Sequence, residues 1–164
     1  MSEIQTNGNG QDDAAGLAPS LTINAQYLRD LSFENPRAPE SLVNQTGAPE
    51  VRIDVDVKAR QLSGEMYESV VTVKAEATIL GQVTFVVEAD YGALVTIRNA
   101  PQELVAALLL IETPRIIFPF LRNVLADATR DGGFPPLMLS PIDFAELQRR
   151  KSAAQVEAPA AANA

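Results

Sequence analysis

Asp54 and Asp56 stand two residues apart in the run VRIDVDV. On a strand that spacing sets both carboxylates on one face, about 7 Å apart. Such a pair suits acid–base work or metal binding when other reactive groups converge on it. None does. The chain has no histidine and no cysteine, which removes the near-neutral proton shuttle, the thiolate nucleophile and the commonest metal ligand. Ser32, Ser41, Ser63 and Ser69 have no histidine to activate them, and none lies in a G-x-S-x-G elbow. The Gly-rich stretch Gly8 to Gly16 does not sit between a strand and a helix, so it is no phosphate loop. The acid pair reads as a solvated strand face. A binding protein is expected rather than an enzyme, with no cofactor and no metal.

The elements around these residues show two periods in turn. Leu21, Ile23, Ala25 and Tyr27 alternate with polar residues, and after a Pro-containing loop (Asn35 to Pro49) Val51, Ile53, Val55 and Val57 alternate with Arg52, Asp54 and Asp56. Beyond Ser63-Gly64, Val71, Val73, Ala75, Ala77 and Ile79 share a face opposite Glu68, Thr72, Lys74, Glu76 and Thr78. Val83, Phe85, Val87, Ala89 and Tyr91 form the last such row, against Thr84, Val86, Glu88 and Asp90. Four one-sided strands with short turns predict an antiparallel sheet with one face partly wet.

Helical signals follow. Asn99 and Pro101 offer a cap and a first turn, and LVAALLLI (Leu104 to Ile111) is apolar on every face, as in a helix that meets a second buried surface. Pro114 and Pro119 should break or kink the pattern, which resumes at Leu121, Val124, Leu125 and Ala128 and stops at Gly132-Gly133. Ser140 and Asp143 are spaced as a capping box for a helix from Pro141 to about Lys151. Strands first and helices second is α+β. Residues 1–18 are too polar to repay ordering and read as a disordered arm, 19–151 as one domain, and 152–164 as a flexible tail.

The 164 residues carry a net charge of −8, a field that repels nucleic acid and anionic membrane and suits a basic protein partner. From Leu21 to Ile97 eleven acids face six bases, a net −5, whereas Arg98 to Lys151 is net +1. The negative field therefore belongs to the sheet half. The N-terminus has no basic or apolar region of a signal peptide, and eight apolar residues do not span a bilayer, so a soluble cytoplasmic protein is expected.

Four segments are more specific than pattern: YLRDLSFENPRAP (Tyr27 to Pro39), PEVRIDVDV (Pro49 to Val57), PRIIFPFLR (Pro114 to Arg122) and GGFPPLMLSPIDF (Gly132 to Phe144). In this order they closely resemble the conserved blocks of the SecB family, and the likeness runs from about Leu21 to about Leu147. The resemblance implies a homotetramer, a dimer of dimers. It also implies a chaperone that holds secretory preproteins unfolded in the cytosol and passes them to the motor ATPase SecA for export. The family's acidic docking surface for SecA maps onto Asp30, Glu34, Val86 and Glu88, and its client groove onto Val51, Ile53 and Val55. Leu104, Leu108, Leu109 and Ile111 are the expected oligomer interface. Some family members instead serve toxin–antitoxin pairs. A small-molecule binding domain between sheet and helices is the alternative from a different class.

Overall fold

The computed structural model describes residues 16–43 and 46–157. Most of the expected N-terminal arm and the end of the expected tail lie outside the described residues. Four long strands, β1 (Ser20–Glu34), β2 (Glu50–Ser63), β3 (Met66–Ile79) and β4 (Gln82–Arg98), form one antiparallel sheet in the order β1-β4-β3-β2. A short helix α1 (Glu40–Val43) lies in the connection between β1 and β2. The sheet is followed by α2 (Gln102–Ala107), a π-turn (Leu108–Glu112), α3 (Thr113–Asp131) and α4 (Phe144–Glu157), which is the α+β order expected.

Cross-strand pairing turns the alternation into two surfaces. Val55, Val73 and Ala89 form one row, and Ile53, Ala75 and Val87 the next. Val73, Ala75, Val87 and Ala89 are fully buried beneath Ile117, Leu121 and Leu125 of α3, so this is the core face. The opposite face carries the rows Asp54–Lys74–Glu88 and Arg52–Glu76–Val86.

β1 departs from the expected alternation. Its register with β4 shifts between Ile23 and Ala25 and again between Leu28 and Asp30. Each extra residue, Asn24 and Arg29, is a bulge that reverses which face the next side chain takes. Leu21 and Ile23 pack on the core, Ala25 and Tyr27 turn to the outer face, and Leu31 and Phe33 return to the inner one. The strand therefore continues seven residues past Tyr27, to Glu34.

The helical stretch is also more continuous than its prolines suggest. Gln102–Asp131 runs unbroken for 30 residues, long and apolar enough to cross a bilayer by length and composition. Here it serves as the core helix of the sheet, with Leu109, Ile117, Phe118, Leu121 and Leu125 buried. Pro114 is accommodated by the π-turn that precedes it. The Thr113 N–H bonds the Leu108 carbonyl, five residues back. Pro114 has no N–H to offer the Leu109 carbonyl, which accepts instead the buried Ser69 hydroxyl from β3 at 2.7 Å. Ser69→Ala leaves that carbonyl buried and unpaired, and should cost about 1–3 kcal/mol of stability. Urea unfolding measures it, and an unchanged midpoint would show that the turn needs no such partner. Pro119 lies inside α3 on its exposed side.

The caps differ from expectation at both ends of this region. Asn99, at φ 55°, makes the turn out of β4 rather than capping α2, whose N-cap is Pro101 with no side-chain bond. α4 starts at Phe144, later than Pro141, because Asp143 is the cap: its carboxylate accepts the Glu146 N–H at 3.0 Å. This helix then continues to Glu157, six residues beyond the expected end. Lys151 ties it to the edge of β2, donating to Asp56 at 2.6 Å and to the Val57 carbonyl at 3.1 Å.

Candidate functional site

The two ends of the sheet's inner face differ in cover. Along β2, Val57 is 1% exposed and Val55 half-buried, whereas Ile53 and Val51 are 42% and 37% exposed. The helices cover the first pair and leave the second open. Beside Val51 lies a cleft of about 310 Å³. Ile79, Thr84 and Phe85 of the β3–β4 hairpin form one wall, Gly47 and Pro49 of the incoming loop another, and the run from Phe134 to Met138 the third. No charged side chain lines it. It is built to take apolar side chains, with little hydrogen-bonded readout of which ones.

The sequence dictates how the third wall is held. α3 ends where Gly132 and Gly133 take the last carbonyls, the Gly132 N–H bonding Ala128 and the Gly133 N–H bonding Arg130. Gly133 sits at φ +90°, a conformation that favours glycine. Gly132 is needed for a different reason, since a Cβ there would come within 2.1 Å of the Phe33 ring. That ring packs with Phe85 and Phe134 at centroid distances of 5.9 and 6.3 Å, and the latter two meet at 5.0 Å. The fully buried Thr129 hydroxyl accepts the Leu137 N–H at 2.9 Å, which fastens the proline-rich run to the helix.

On the outer face, Asp30, Glu34, Val86 and Glu88 come together. Asp30 lies opposite Asp90, Ser32 opposite Glu88, and Glu34 opposite Val86, three successive rows on β1 and β4. Side chains directly opposite are about 4.5–5.5 Å apart. Glu76 and Asp54 extend the acidic surface toward β2, with Lys74 and Arg52 as the interspersed cations. Asp56 is drawn off by Lys151, so the Asp54–Asp56 pair is divided between solvent and a structural ion pair.

The other end of this face is closed rather than wet. Glu68, expected on the solvated side, is 7% exposed. It accepts the Tyr27 hydroxyl and the Arg60 guanidinium, the latter at 2.5 Å. These two hydrogen bonds hold its carboxyl below the ordinary carboxylate range. Burial and the neighbouring carboxylate push the Tyr27 hydroxyl up to about 12. The ring lies across Gly92, where a Cβ would approach it to 2.7 Å. No group of three or more ligand-type residues that could hold a metal occurs among the described residues.

The helix residues expected at an oligomer interface differ in exposure within the single chain. Leu109 is 6% exposed within the single chain, turned onto its own sheet, while Leu104, Leu108 and Ile111 are half-buried. Ile116 and Phe120 of α3 are the open apolar side chains of this helix, at 44% and 50%, and Phe120 stacks on Tyr91 at 6.4 Å. Phe85 and the Phe134–Met138 run line the cleft in addition to the strand residue Val51. The signal for the run is the odd cluster FPPLM, which has no regular period to explain its apolar content, whereas Phe85 is indistinguishable in sequence from the other apolar residues of its strand.

A family model described as preprotein translocase subunit SecB matches residues 14–155. The chain is 45% identical over 156 residues to the protein-export protein SecB of Bradyrhizobium sp. (strain BTAi1 / ATCC BAA-1182), covering 95% of this chain and 96% of that one. It is 49% identical over 147 residues to that of Maricaulis maris (strain MCS10), covering 90% and 86%. Among solved structures, the SecB-like chaperone Rv1957 of Mycobacterium tuberculosis, in complex with a ChAD peptide from the HigA1 antitoxin, has the same fold. Its TM-score is 0.64 at 14% identity, over 74% of this chain and 90% of that one.

Proposed function

The chain belongs to the SecB family, and from that premise we propose that it holds secretory preproteins unfolded in the cytosol and delivers them to the SecA motor for export. The observation that carries this reading is the open apolar cleft beside Val51 and Ile53. Holding a non-native chain needs exposed apolar surface with tolerant geometry, and it needs no catalytic constellation. Val51 lines this cleft with the wall from Phe134 to Met138, and in this reading Ile53 and Val55, next along the same face of β2, extend it into the client groove. Asp30, Glu34, Val86 and Glu88 form the SecA docking surface on the opposite face of the sheet, so that client and motor bind without competing for one surface. The protein works as a homotetramer, and Leu104, Leu108 and Ile111, with the more open Ile116 and Phe120, supply the apolar contact between copies. The export role is favoured over service to an antitoxin because the relatives at 45–49% identity are protein-export proteins, whereas the antitoxin-bound neighbour supports the fold alone.

Refolding of a slow-folding secretory precursor tests the reading. With the protein present and no nucleotide added, refolding should slow, and the denatured chain should co-elute with the protein in gel filtration. The folded precursor should not. If both forms bind equally, or neither binds, the chaperone assignment fails.

A further inference from the structure

The turn between β3 and β4 is built from Leu80 and Gly81, at φ 52° and 75°. Two successive positive φ angles are the geometry of a tight hairpin whose usual residues are Asn, Asp and Gly. A leucine there pays twice, for its Cβ in the left-handed region and for its apolar surface in water. Leu80 is 92% exposed, the most open large apolar side chain among the described residues. Gly81 at the second position is what the turn requires; leucine at the first is not. Folding alone does not account for it.

Its position is informative. Ile79, the adjoining residue, lines the apolar cleft. The mouth of that cleft carries other open apolar side chains, Val51 and Met138, and Leu42 approaches the Gly133 end of its third wall. Leu80 lines an adjoining, more polar cleft with Arg37 and Glu40, and that cleft shares Ile79 and Thr84 with the apolar one, so the hairpin tip sits where the two meet.

We infer that Leu80 is a client-contact residue: the tip of the β3–β4 hairpin extends the cleft and covers an apolar side chain of an unfolded polypeptide. This rests on the proposed holding role and adds a contact to it. The occupant is a non-native chain, because an unfolded segment presents apolar and polar side chains together, and Leu80 stands where the apolar cleft meets a neighbouring one that carries Arg37 and Glu40.

Leu80→Asn separates the two demands on this position. Asparagine tolerates the left-handed region better than leucine, so the unfolding midpoint should stay the same or rise. Affinity for reduced, carboxamidomethylated ribonuclease A should fall roughly tenfold, the scale of one covered leucine side chain. Leu80→Met should bind within a factor of about two of the original, since it restores apolar area. Unchanged binding by Leu80→Asn overturns the inference, as does a lower midpoint or an altered assembly mass, which would assign the leucine to folding or to contact between copies. Val51→Asp with Ile53→Asp, measured beside it, keeps the two levels apart. If that pair weakens binding and Leu80→Asn does not, the hairpin contact alone falls. If the pair also binds normally, the cleft is not the holding surface.

Discussion

Val51→Asp combined with Ile53→Asp should lower affinity for unfolded polypeptide by about a hundredfold, with little change in stability. The two side chains are 37% and 42% exposed in the single chain, so much of each already lies in water and contributes little to folding. Covering the remainder with a client returns part of the roughly 1.5–3 kcal/mol that a fully buried aliphatic side chain contributes. Two such positions give a few kcal/mol in all, and a carboxylate at each adds the cost of desolvating a charge under the client. β2 tolerates the change because it is an edge strand and its anchor lies further along, at the buried Val57 and the Lys151 bond to Asp56. Titration calorimetry with a permanently unfolded protein measures the loss. The wild-type heat-capacity change should be negative, the mark of apolar burial, and smaller in the variant. A loss of less than about threefold would place the holding surface elsewhere.

The sheet was legible in the sequence where side-chain alternation and burial are the same thing. Val71, Val73, Ala75 and Ala77 alternate and are all fully buried. β1 was misread because a bulge changes facing without changing composition: Leu21, Ile23, Ala25 and Tyr27 keep their spacing while Asn24 is extruded. Local propensity also misjudged the helix. Pro114 and Pro119 are helix breakers in isolation, but the π-turn and the Ser69 hydroxyl supply what the first removes, and the second falls on the exposed side. Ser69 is forty residues away from the carbonyl it serves, so no window of sequence contains the compensation. The candidate site divides in the same way. Asp30, Glu34, Val86 and Glu88 gather because their strands are neighbours, and in the sequence only the family resemblance connects them. The cleft needs Phe85 of β4 and the run from Phe134 to Met138 beyond α3, and only tertiary closure brings those together. Glu68 shows the reverse error: its alternation with Thr72 and Lys74 marks a wet face, but Tyr27, flipped outward by the bulge, covers it.

Asp30→Lys, Glu34→Lys and Glu88→Lys together should weaken SecA docking by about a hundredfold at low salt and leave client holding intact. Asp30 and Glu34 lie on the free edge strand and are exposed, so reversing them disturbs no packing. Glu88 pairs across the sheet with Ser32 on one side and Lys74 on the other, and its replacement sets two lysines side by side on the surface where a basic partner would arrive. Val86, half-buried between Glu34 and Glu76, is the apolar centre of this patch. Acids around an apolar centre steer encounter, while the centre governs dissociation. The triple variant should therefore lose mainly association rate, and Val86→Asn should instead raise the dissociation rate. Because Asp30 and Glu34 are exposed and Glu88 is half-buried, raising salt from about 0.05 to about 0.5 M, on either side of the ionic strength at which the Debye length is about 10 Å, should erase most of the difference between wild type and the triple variant. Client binding provides the internal control, since the cleft lies on the other face of the sheet. Surface plasmon resonance against immobilised SecA resolves both rates. Normal association by the triple variant at low salt would reduce this acidic face to solubilising charge and send the search for the motor's docking surface to another part of the molecule.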